Sequence, residues 1–389
     1  MSASKHIVVV GAGLIGLSCA LGLRQRGCRV TLVEQGSRPE VTAEPGLRVS
    51  ALNHASRTLL QELGVWQQLP LQRLGPYTGM QVWENNSFAD IAFHAEQIGT
   101  DDLGAIVENQ VLEQALWDAA EQAGVTIIAN TKVQQWQQDH QGATLQLADQ
   151  QLQGDYVIAA DGVRSQLRSW AELPVTFWDY EQRGLVAVIA SELPHQGVAR
   201  QAFLPTGPLA LLPLADPHLC SMVWSCDEDL AQELLQLQQT QPEQFQRRLQ
   251  VASNGILGNL TVDSAVASFP LQMQYAQQWV HERLILVGDA AHSIHPLAGQ
   301  GANLGFADVA VLIEAFTATE QRQLNRALQA YQRERKAAAL TMIAAMEAFK
   351  RGFGTSQPLL QLLRGVGFTL ANKTPPLKRW LTKVALGEV

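Results

Sequence analysis

Charge, paired cysteines and long apolar runs are all scarce in this sequence, and each shortage excludes a class of protein. Only 16% of the 389 residues are charged, against 47% that are hydrophobic, and the net charge of −8 gives a pI near 5.6. An acidic chain of this kind is a poor partner for nucleic acid. No segment reaches the roughly 18 uninterrupted apolar residues of a transmembrane helix. These features predict a cytoplasmic protein that contacts a membrane at most peripherally.

Cysteine usage argues against a disulfide framework and against a metal centre. The four cysteines, Cys19, Cys28, Cys220 and Cys226, form no Cys-x-x-Cys pair and show no clustering with histidine at metal-site spacing. Isolated cysteines in a chain of this length are typical of a reducing compartment. We therefore predict four reduced thiols and no metal ion.

The first forty residues have the pattern of a nucleotide-binding unit. The segment HIVVV (6–10) predicts a buried strand, LIGLSCALGLRQRG (14–27) an apolar helix, and RVTLVEQ (29–35) a second buried strand. This order within about 30 residues is that of a βαβ unit. The N-terminal apolar run is not interpreted as a signal peptide, because glycines break it and no cleavage site follows.

The turn between the first strand and the helix is GAGLIG, a Gly-x-Gly-x-x-Gly motif. Gly11 permits a tight turn, Gly13 lets the backbone approach a pyrophosphate, and Gly16 lets the helix pack on the strand. An acidic residue, Glu34, closes the second strand, where it would accept hydrogen bonds from a ribose. The motif itself does not separate FAD from NAD. The predicted dinucleotide contacts here are Gly11, Gly13, Leu14, Ile15, Gly16, Glu34 and Gln35.

A second glycine-rich stretch, LILVGDAAHSIHPLAGQGANLGF (284–306), favours FAD. Its Gly-Asp pair follows a buried strand, at the sheet edge where open α/β proteins bind ligands, and the aspartate could accept hydrogen bonds from a ribityl chain. The proline and the Gly-Gln-Gly run form a loop without bulky side chains, whose N–H groups would stabilise charge on a reduced flavin. The predicted contacts are Gly288, Asp289, Pro296, Gly299, Gln300, Gly301, Ala302 and Asn303.

A third element, DGVRS (161–165), also comes directly after a buried strand, DYVIAADG (155–162). Alone it would be an ordinary aspartate-glycine turn. Between the two glycine-rich motifs, it adds Asp161 and Gly162 to the predicted cofactor contacts.

The remaining segments predict a second, antiparallel layer. Strand candidates crowd into 183–225, helical composition fills 228–253, and nearly everything after 301 has a helical pattern. We predict an α/β fold in which a Rossmann-like FAD-binding domain carries an inserted, mainly antiparallel β-sheet domain and a helical C-terminus. The predicted divisions are a first FAD-binding part (1–170), a substrate-binding sheet (171–275), a second FAD-binding part (276–350) and a C-terminal segment (351–389).

The three motifs, in the order GAGLIG, DGVRS and GDAAHSIHPLAGQG, resemble those of the class A flavoprotein aromatic hydroxylases, the p-hydroxybenzoate hydroxylase type. Further stretches are similar to the ubiquinone-biosynthesis branch, and within it to the 2-polyprenylphenol hydroxylases of the VisC type. These stretches are LRVSALN (47–53), IVENQVLEQALW (106–117), TFWDY (176–180), DPHLCSMVWS (216–225) and HPLAGQGANLGFAD (295–308). The resemblance spans the whole chain.

The resemblance implies a monooxygenase that uses FAD, NAD(P)H and O₂ to hydroxylate the ring of a polyprenylphenol through a flavin C4a-hydroperoxide. It also implies that Arg48 lies near the flavin and Asn109 near the cofactor. The implied partners are the polyprenylphenol, O₂ and other ubiquinone-biosynthesis enzymes. A homo-oligomer and a peripheral membrane contact are compatible with it.

Several residues keep two interpretations. His292 and His295 are either bases for the phenol or loop residues that pack beside the flavin, so no catalytic residue is assigned. Trp178 and Trp224 either line a prenyl pocket or belong to the core. The apolar and basic stretch 356–387 is either a membrane- or partner-contacting end or a helical cap on the nucleotide fold.

Three alternatives to a polyprenylphenol hydroxylase stay open at this point. One is a sibling hydroxylase of the same pathway that acts on a later, methoxylated intermediate. Another is an FAD oxidase or reductase on the same scaffold, which would not need all three motifs in this order. The third is a non-catalytic subunit of a quinone-synthesising assembly, which the intact glycines disfavour.

Overall fold

The computed structural model describes residues 4–84, 90–294 and 301–353. The helices in these ranges are α1 (Leu14–Gln25), α2 (His54–Glu62), α3 (Asn109–Gln122), α4 (Gln166–Trp170), α5 (Glu228–Thr240), α6 (Pro242–Ala252), α7 (Gly301–Ala315) and α8 (Gln321–Phe353). The strands are β1 (His6–Val10), β2 (Arg29–Val33), β3 (Val49–Leu52), β4 (Leu74–Tyr77), β5 (Gly79–Glu84), β6 (Asp90–His94), β7 (Gly104–Glu108), β8 (Thr126–Ile128), β9 (Gln135–Gln138), β10 (Ala143–Gln146), β11 (Gln151–Gly154), β12 (Tyr156–Ala159), β13 (Val175–Ser191), β14 (Val198–Leu204), β15 (Gly207–Pro213), β16 (Leu219–Asp227), β17 (Leu260–Val262), β18 (Ala267–Ala276), β19 (Val280–His281), β20 (Leu284–Leu286) and β21 (His292–Ser293).

The nucleotide-binding layer is a six-stranded sheet in the order β19-β20-β12-β1-β2-β8. All of its neighbouring strands are parallel except β19, which runs antiparallel to β20. β1 lies inside the sheet, and its residues 7–10 are buried, which is why its sequence is a continuous apolar run rather than an alternating one. The predicted βαβ unit is confirmed as β1, α1 and β2.

A nine-stranded, mainly antiparallel sheet forms the second layer. Eight of its strands follow in the order β21-β18-β13-β16-β15-β14-β5-β6, and β17 pairs with β13 off this path. β5 and β6 come from the first third of the chain, and β5 runs parallel to β14. The predicted divisions of the chain stay a prediction. The strands 79–84 and 90–94, which the sequence analysis included in the first FAD-binding part, pair with the larger sheet.

A small sheet, β3-β7-β4, connects the two layers. Its inner residues share a hydrophobic cluster with the near face of the nine-stranded sheet. The approach is close at Gly75, where a Cβ would lie 2.2 Å from the carbonyl oxygen of Pro213. This small sheet also holds the chain just before β3 beside the start of α3, which matters for the site.

The far face of the nine-stranded sheet is covered by α5 and α6. The sequence predicted one helical stretch over 228–253, and the structure divides it at Pro242, the first residue of α6. Proline has no N–H to donate and disfavours a helical residue before it, so α5 ends there and a new helix begins. No helix in the described ranges is both long and apolar enough to cross a membrane.

All four cysteines are free and buried. Burial raises the pKa of the Cys220 and Cys226 thiols to about 12, so both are protonated at neutral pH. These thiols pack as small apolar core residues.

Candidate functional site at the edge of the parallel sheet

The sequence motifs meet at one edge of the parallel sheet. The strands β20, β12, β1 and β2 are consecutive neighbours and run in the same direction, so their carboxyl ends line up. The Gly288–Asp289 pair, the Asp161–Gly162 pair, Gly11 and Glu34 each begin within two residues of the end of one of these strands. Segments about 280 residues apart in sequence thereby form one continuous row, at the edge where α/β sheets bind ligands.

The glycine-rich turn combines two crowded positions with one open position. Gly11 has a φ of +103°, and a Cβ there would lie 2.3 Å from the carbonyl oxygen of Ala160. A Cβ on Gly16 would lie 1.9 Å from the carbonyl oxygen of Gly11. A Cβ on Gly13, in contrast, would have no atom within 4 Å. The first and third glycines are required by the protein itself, and the second leaves space in front of the N-terminus of α1.

The neighbours of these glycines differ in what they can contribute. Leu14 is buried in the core. The side chain of Ile15 packs against the positions of Gly288 and Gly305, where added Cβ atoms would lie 3.0 and 2.7 Å from its carbons. Both residues can therefore face a ligand only through their backbone N–H groups, which lie in the first turn of α1 and lack intrahelical partners.

Glu34 is fixed across the glycine turn. Its Oε2 accepts a hydrogen bond from Ala12 N–H at 2.6 Å, and its Oε1 accepts one from Gly36 N–H at 2.7 Å. Each carboxylate oxygen keeps a free acceptor site, and the side chain is half-buried rather than enclosed. The next residue, Gln35, is exposed at the same edge.

Asp161 has one satisfied and one unsatisfied carboxylate oxygen. Oδ2 accepts hydrogen bonds from Gln166 N–H at 2.8 Å and from Leu167 N–H at 3.3 Å, the first residues of α4. Oδ1 is buried and has no hydrogen-bond partner among the described residues. Beside it, Gly162 has a φ of +79° and open space around its Cα. An unsatisfied buried acceptor next to open space is the feature expected of a ligand-binding position.

Arg168, which the sequence reasoning missed, ties two of the motifs together. Its Nη1 donates to the carbonyl oxygen of Ala290 and its Nη2 to that of Val163, both at 2.8 Å. The side chain is buried. One guanidinium thus holds the turn after β12 at a set distance from the turn after β20.

The Gly288–Asp289 pair forms a tight helical turn after β20, with Gly288 at a φ of +60°. The side chain of Asp289 is exposed to solvent. The surrounding protein nevertheless raises the pKa of its carboxyl group, mainly by desolvation. The charges of His292 and Arg48 oppose this shift, and the charge of Asp308 adds to it. Both observations hold for a carboxylate that lines a recess in the protein surface. The predicted position of Asp289 beside a ligand is consistent with this geometry.

We expect Asp289→Asn to stabilise the protein without cofactor at neutral pH and to weaken FAD binding. The folded pKa of Asp289 is raised, so the ionised carboxylate costs folding free energy above that pKa, and the cost disappears as the pH falls toward the unfolded value of about 3.9. Thermal melts of both cofactor-free proteins should differ most near pH 7 and converge near pH 4. A constant difference at all pH values would contradict the assignment. FAD titration should show weaker binding, because a carboxylate accepts stronger hydrogen bonds than an amide.

Arg48 and Asn109, which the resemblance places near the flavin and the cofactor, lie side by side in the structure; their contact with the cofactor stays a prediction. The N–H of Asn109 donates to the carbonyl oxygen of Arg48 at 2.9 Å, and the Oδ1 of Asn109 accepts from Ser50 Oγ at 2.8 Å. The guanidinium of Arg48 is exposed and forms no ion pair within the described residues. Its charge lowers the pKa of Asp289 and that of Glu113, an α3 residue whose carboxyl pKa is raised mainly by burial. Glu113 is a member of the cluster that the sequence did not reveal.

The helix α7 begins at Gly301, close to its predicted start. The side chain of Asn303 is already used by the protein: its Oδ1 accepts from Asn53 N–H at 3.1 Å and from Ser56 Oγ at 2.7 Å, and its Nδ2 donates to Ala51 O at 2.8 Å. Gly301 has open space around its Cα, and Ala302 packs at the edge of the core. The predicted contacts Pro296, Gly299 and Gln300, and also His295, lie outside the described residues.

The structure gives the surroundings of three other residues for which the sequence left two interpretations. His292 is buried, and its Nε2 lies 2.5 Å from Asp308 Oδ2, so it packs beneath the site and is not available as a base. Trp224 belongs to the core on the far side of the nine-stranded sheet. Trp178 is 54% exposed, at the surface of the β13–β18 ribbon.

A small apolar cavity lies between the β3-β7-β4 sheet and the nine-stranded sheet. The cavity lies close to the site, because Ala51 in its lining is hydrogen-bonded to the first turn of α7: the carbonyl oxygen of Ala51 accepts from Asn303 Nδ2. Burial raises the pKa of the Tyr77 hydroxyl, which keeps its proton at neutral pH. The lining residues are Ala51, Tyr77, Met80, Ile106, Ala199, Arg200, Gln201 and Leu212.

The residues along the sheet edge fit an extended flavin dinucleotide. Open space at Gly13 and Gly162, the unsatisfied Oδ1 of Asp161 and the recessed carboxylate of Asp289 follow one another across the edge. A small apolar cavity lies nearby, between the β3-β7-β4 sheet and the nine-stranded sheet. This fold and site define a flavin dinucleotide-binding protein of the p-hydroxybenzoate hydroxylase-like architecture.

Comparison with known proteins gives the family. Residues 4–346 match the family model described as an FAD binding domain. The chain is 36% identical to the 3-demethoxyubiquinol 3-hydroxylase of Escherichia coli (strain K12), over 98% of both chains. It is 33% identical to the mitochondrial ubiquinone biosynthesis monooxygenase COQ6 of Danio rerio, over 97% of this chain and 89% of that protein. The protein therefore belongs to the FAD-binding monooxygenase family that includes the ubiquinone-biosynthesis hydroxylases.

A solved structure shows the same fold at lower sequence identity. The p-nitrophenol 4-monooxygenase PnpA of Pseudomonas putida DLL-E4 superposes with a TM-score of 0.82, at 22% identity, over 98% of this chain and 97% of that one. The predicted fold class and the FAD cofactor are confirmed. NAD(P)H is the typical electron donor of such flavin hydroxylases.

Proposed function

We propose that this protein hydroxylates the aromatic ring of a polyprenylated phenol on the way to ubiquinone, with FAD as cofactor and NAD(P)H and O₂ as co-substrates. The observation that carries the proposal is the similarity of the chain, over nearly its whole length, to ubiquinone-biosynthesis hydroxylases. The small apolar cavity beside the start of α7 supports it. An apolar cavity suits a ring with a hydrocarbon tail.

The proposed cofactor contacts are divided among the motifs. Backbone N–H groups at the start of α1 bind the pyrophosphate, and Glu34 accepts from the adenosine ribose. Asp161 Oδ1 and Asp289 accept from hydroxyl groups further along the cofactor. Arg48, which has no carboxylate partner among the described residues, supplies positive charge beside the ring system. The predicted contacts in 295–300 belong to the same proposal.

The bound FAD supplies the oxidation chemistry, and the protein's own residues bind and orient the substrate. The apolar lining of the cavity holds the ring away from water. Tyr77, which keeps its proton on the hydroxyl oxygen at neutral pH, donates a hydrogen bond to the phenol oxygen. No histidine of the described part of the chain lines this cavity.

Two substrates are candidates for this protein. The sequence resembles the 2-polyprenylphenol hydroxylases of the VisC type, which act before the first methoxy group is present. The Escherichia coli relative, however, is a 3-demethoxyubiquinol 3-hydroxylase, and this favours a later, methoxylated ring as second candidate. A direct assay decides between the two rings.

The test is a direct assay of the purified, FAD-loaded protein. It is incubated with NADH or NADPH, O₂ and either a short-chain 2-polyprenylphenol or the corresponding demethoxyubiquinol, and the products are identified by mass. We expect phenol-dependent NAD(P)H oxidation and a product heavier by one oxygen atom, with the unmethoxylated phenol preferred. Preference for the demethoxyubiquinol would select the sibling function. NAD(P)H oxidation that no phenol stimulates, with no hydroxylated product, would contradict both.

A further inference from the structure

We propose that Asp308 and Arg335, two residues outside the cofactor recess, position the Gly288–Asp289 turn, so that helix α8 is part of the apparatus that holds FAD. The inference rests on the proposed cofactor site, since it assigns to these residues an effect on a turn that the site uses. Neither residue follows from any of the three motifs.

The geometry is a buried carboxylate with three partners. Asp308, on α7, is fully buried, and its Oδ1 accepts from Arg335 Nε of α8 at 2.9 Å. Its Oδ2 lies 2.5 Å from His292 Nε2 and accepts from Gly288 N–H at 3.2 Å. The carboxylate therefore joins α7, α8, β21 and the turn after β20 at a single point.

The bond to Gly288 is what connects this network to the recess. Gly288 has a φ of +60°, which is in the left-handed region. Glycine populates several backbone conformations with similar free energy, so this one needs further contacts to be fixed. A hydrogen bond from its N–H to a fixed carboxylate selects one of these states. Because Asp289 is the next residue, its direction into the recess depends on this choice.

Helix α8 also contacts the end of β20 directly. Tyr331, one turn before Arg335, donates from its hydroxyl to the carbonyl oxygen of Leu286 at 2.7 Å. Arg335 additionally donates from Nη2 to the carbonyl oxygen of Leu304 at 3.4 Å. Two side chains of α8 thus act on this region: Tyr331 holds the end of β20, and Arg335 holds Asp308 and the backbone of α7.

The charges of this network reach the recess as well. Asp308 raises the pKa of Asp289, whereas His292 lowers it. Since Arg335 forms an ion pair with Asp308, it compensates the negative charge beneath the turn. Removing Asp308 therefore makes the electrostatic potential at the turn more positive, and removing Arg335 makes it more negative. Both substitutions also loosen the turn.

The test compares Asp308→Asn, Arg335→Gln and Arg335→Lys with Arg333→Gln, which alters an exposed arginine of the same helix. Each protein is stripped of cofactor and titrated with FAD, the apoproteins are melted, and the reduction potential of bound flavin is measured. We expect Asp308→Asn and Arg335→Gln to raise the FAD dissociation constant at least tenfold. Arg335→Lys should recover part of the loss, and Arg333→Gln should match the original protein.

The potential distinguishes a positioning role from a general loss of stability. We expect a more positive potential for Asp308→Asn and a more negative one for Arg335→Gln, because a reduced flavin carries negative charge. Wild-type FAD affinity and potential in folded Arg335→Gln would overturn the proposal. If Asp308→Asn does not fold, the comparison of Arg335→Gln, Arg335→Lys and Arg333→Gln decides alone. Loss of FAD binding in Gly13→Ala, with normal binding in these variants, would refute the positioning role and leave the proposed site intact.

Discussion

Gly13→Ala should abolish tight FAD binding and leave the protein folded, whereas Gly16→Ala should destabilise the fold. Gly13 has a φ of −73° and a ψ of −179°, which alanine adopts without strain, and its Cβ would meet no atom of the protein. The new methyl group would instead occupy the space that a pyrophosphate needs. Overpacking of about 3 kcal/mol corresponds to a loss of affinity of roughly 100-fold.

Gly16→Ala places its methyl group 1.9 Å from the carbonyl oxygen of Gly11, a backbone atom that cannot move aside without opening the turn. We expect a loss of about 3 kcal/mol or more in the free energy of unfolding. Denaturation of both cofactor-free variants and titration with FAD separate the two effects. Wild-type FAD affinity in folded Gly13→Ala would show that no pyrophosphate lies in front of α1.

Arg168→Met should lower the free energy of unfolding by about 1–3 kcal/mol, because it leaves the buried carbonyl oxygen of Ala290 without a donor. The carbonyl oxygen of Val163 loses one donor but keeps a second, Gln274 Nε2. Methionine keeps most of the side-chain volume, so the effect comes from the lost hydrogen bonds and not from a cavity. Burial lowers the pKa of the Arg168 guanidinium and the Asp161 carboxylate opposes this, so removing the charge offsets part of the cost.

The matched control for this variant is Arg164→Met, which changes an exposed arginine of the same DGVRS turn. Urea denaturation of both variants should show a shifted midpoint only for Arg168→Met. FAD affinity should fall in the same variant, because the turns after β12 and β20 lose their common anchor. Equal midpoints for the two variants would show that Arg168 does not tie these turns together.

The cofactor edge could be predicted because its requirements are local. A glycine such as Gly11 or Gly16 is needed where the backbone has a positive φ or approaches another backbone atom closely, and these needs follow directly from a strand-turn-helix sequence. An aspartate after a buried strand, such as Asp161 or Asp289, points to the ligand-binding edge for the same reason.

Other parts of the site depend on residues that carry no local signal. Asp308 is one acid in an apolar helix, Arg335 is one of several basic residues in a long helix, and Glu113 looks like part of an ordinary amphipathic face. Each gains its role from a partner on a different element, and sequence spacing does not encode such a pairing. His292 similarly has two interpretations until its neighbour Asp308 is known.

The sequence by itself determined the parallel nucleotide layer, the order of its three motifs and the flavin as cofactor, because glycine turns and apolar strands impose their conformation within a few residues. Only the tertiary structure decided that β5 and β6 join the larger sheet, that an apolar cavity lies beside Ala51, and that α8 supports the Gly288–Asp289 turn. These features arise where surfaces distant in sequence are buried against each other. The hydrophobic pattern along one segment shows that one face of a helix or strand is apolar, but not which other element covers that face.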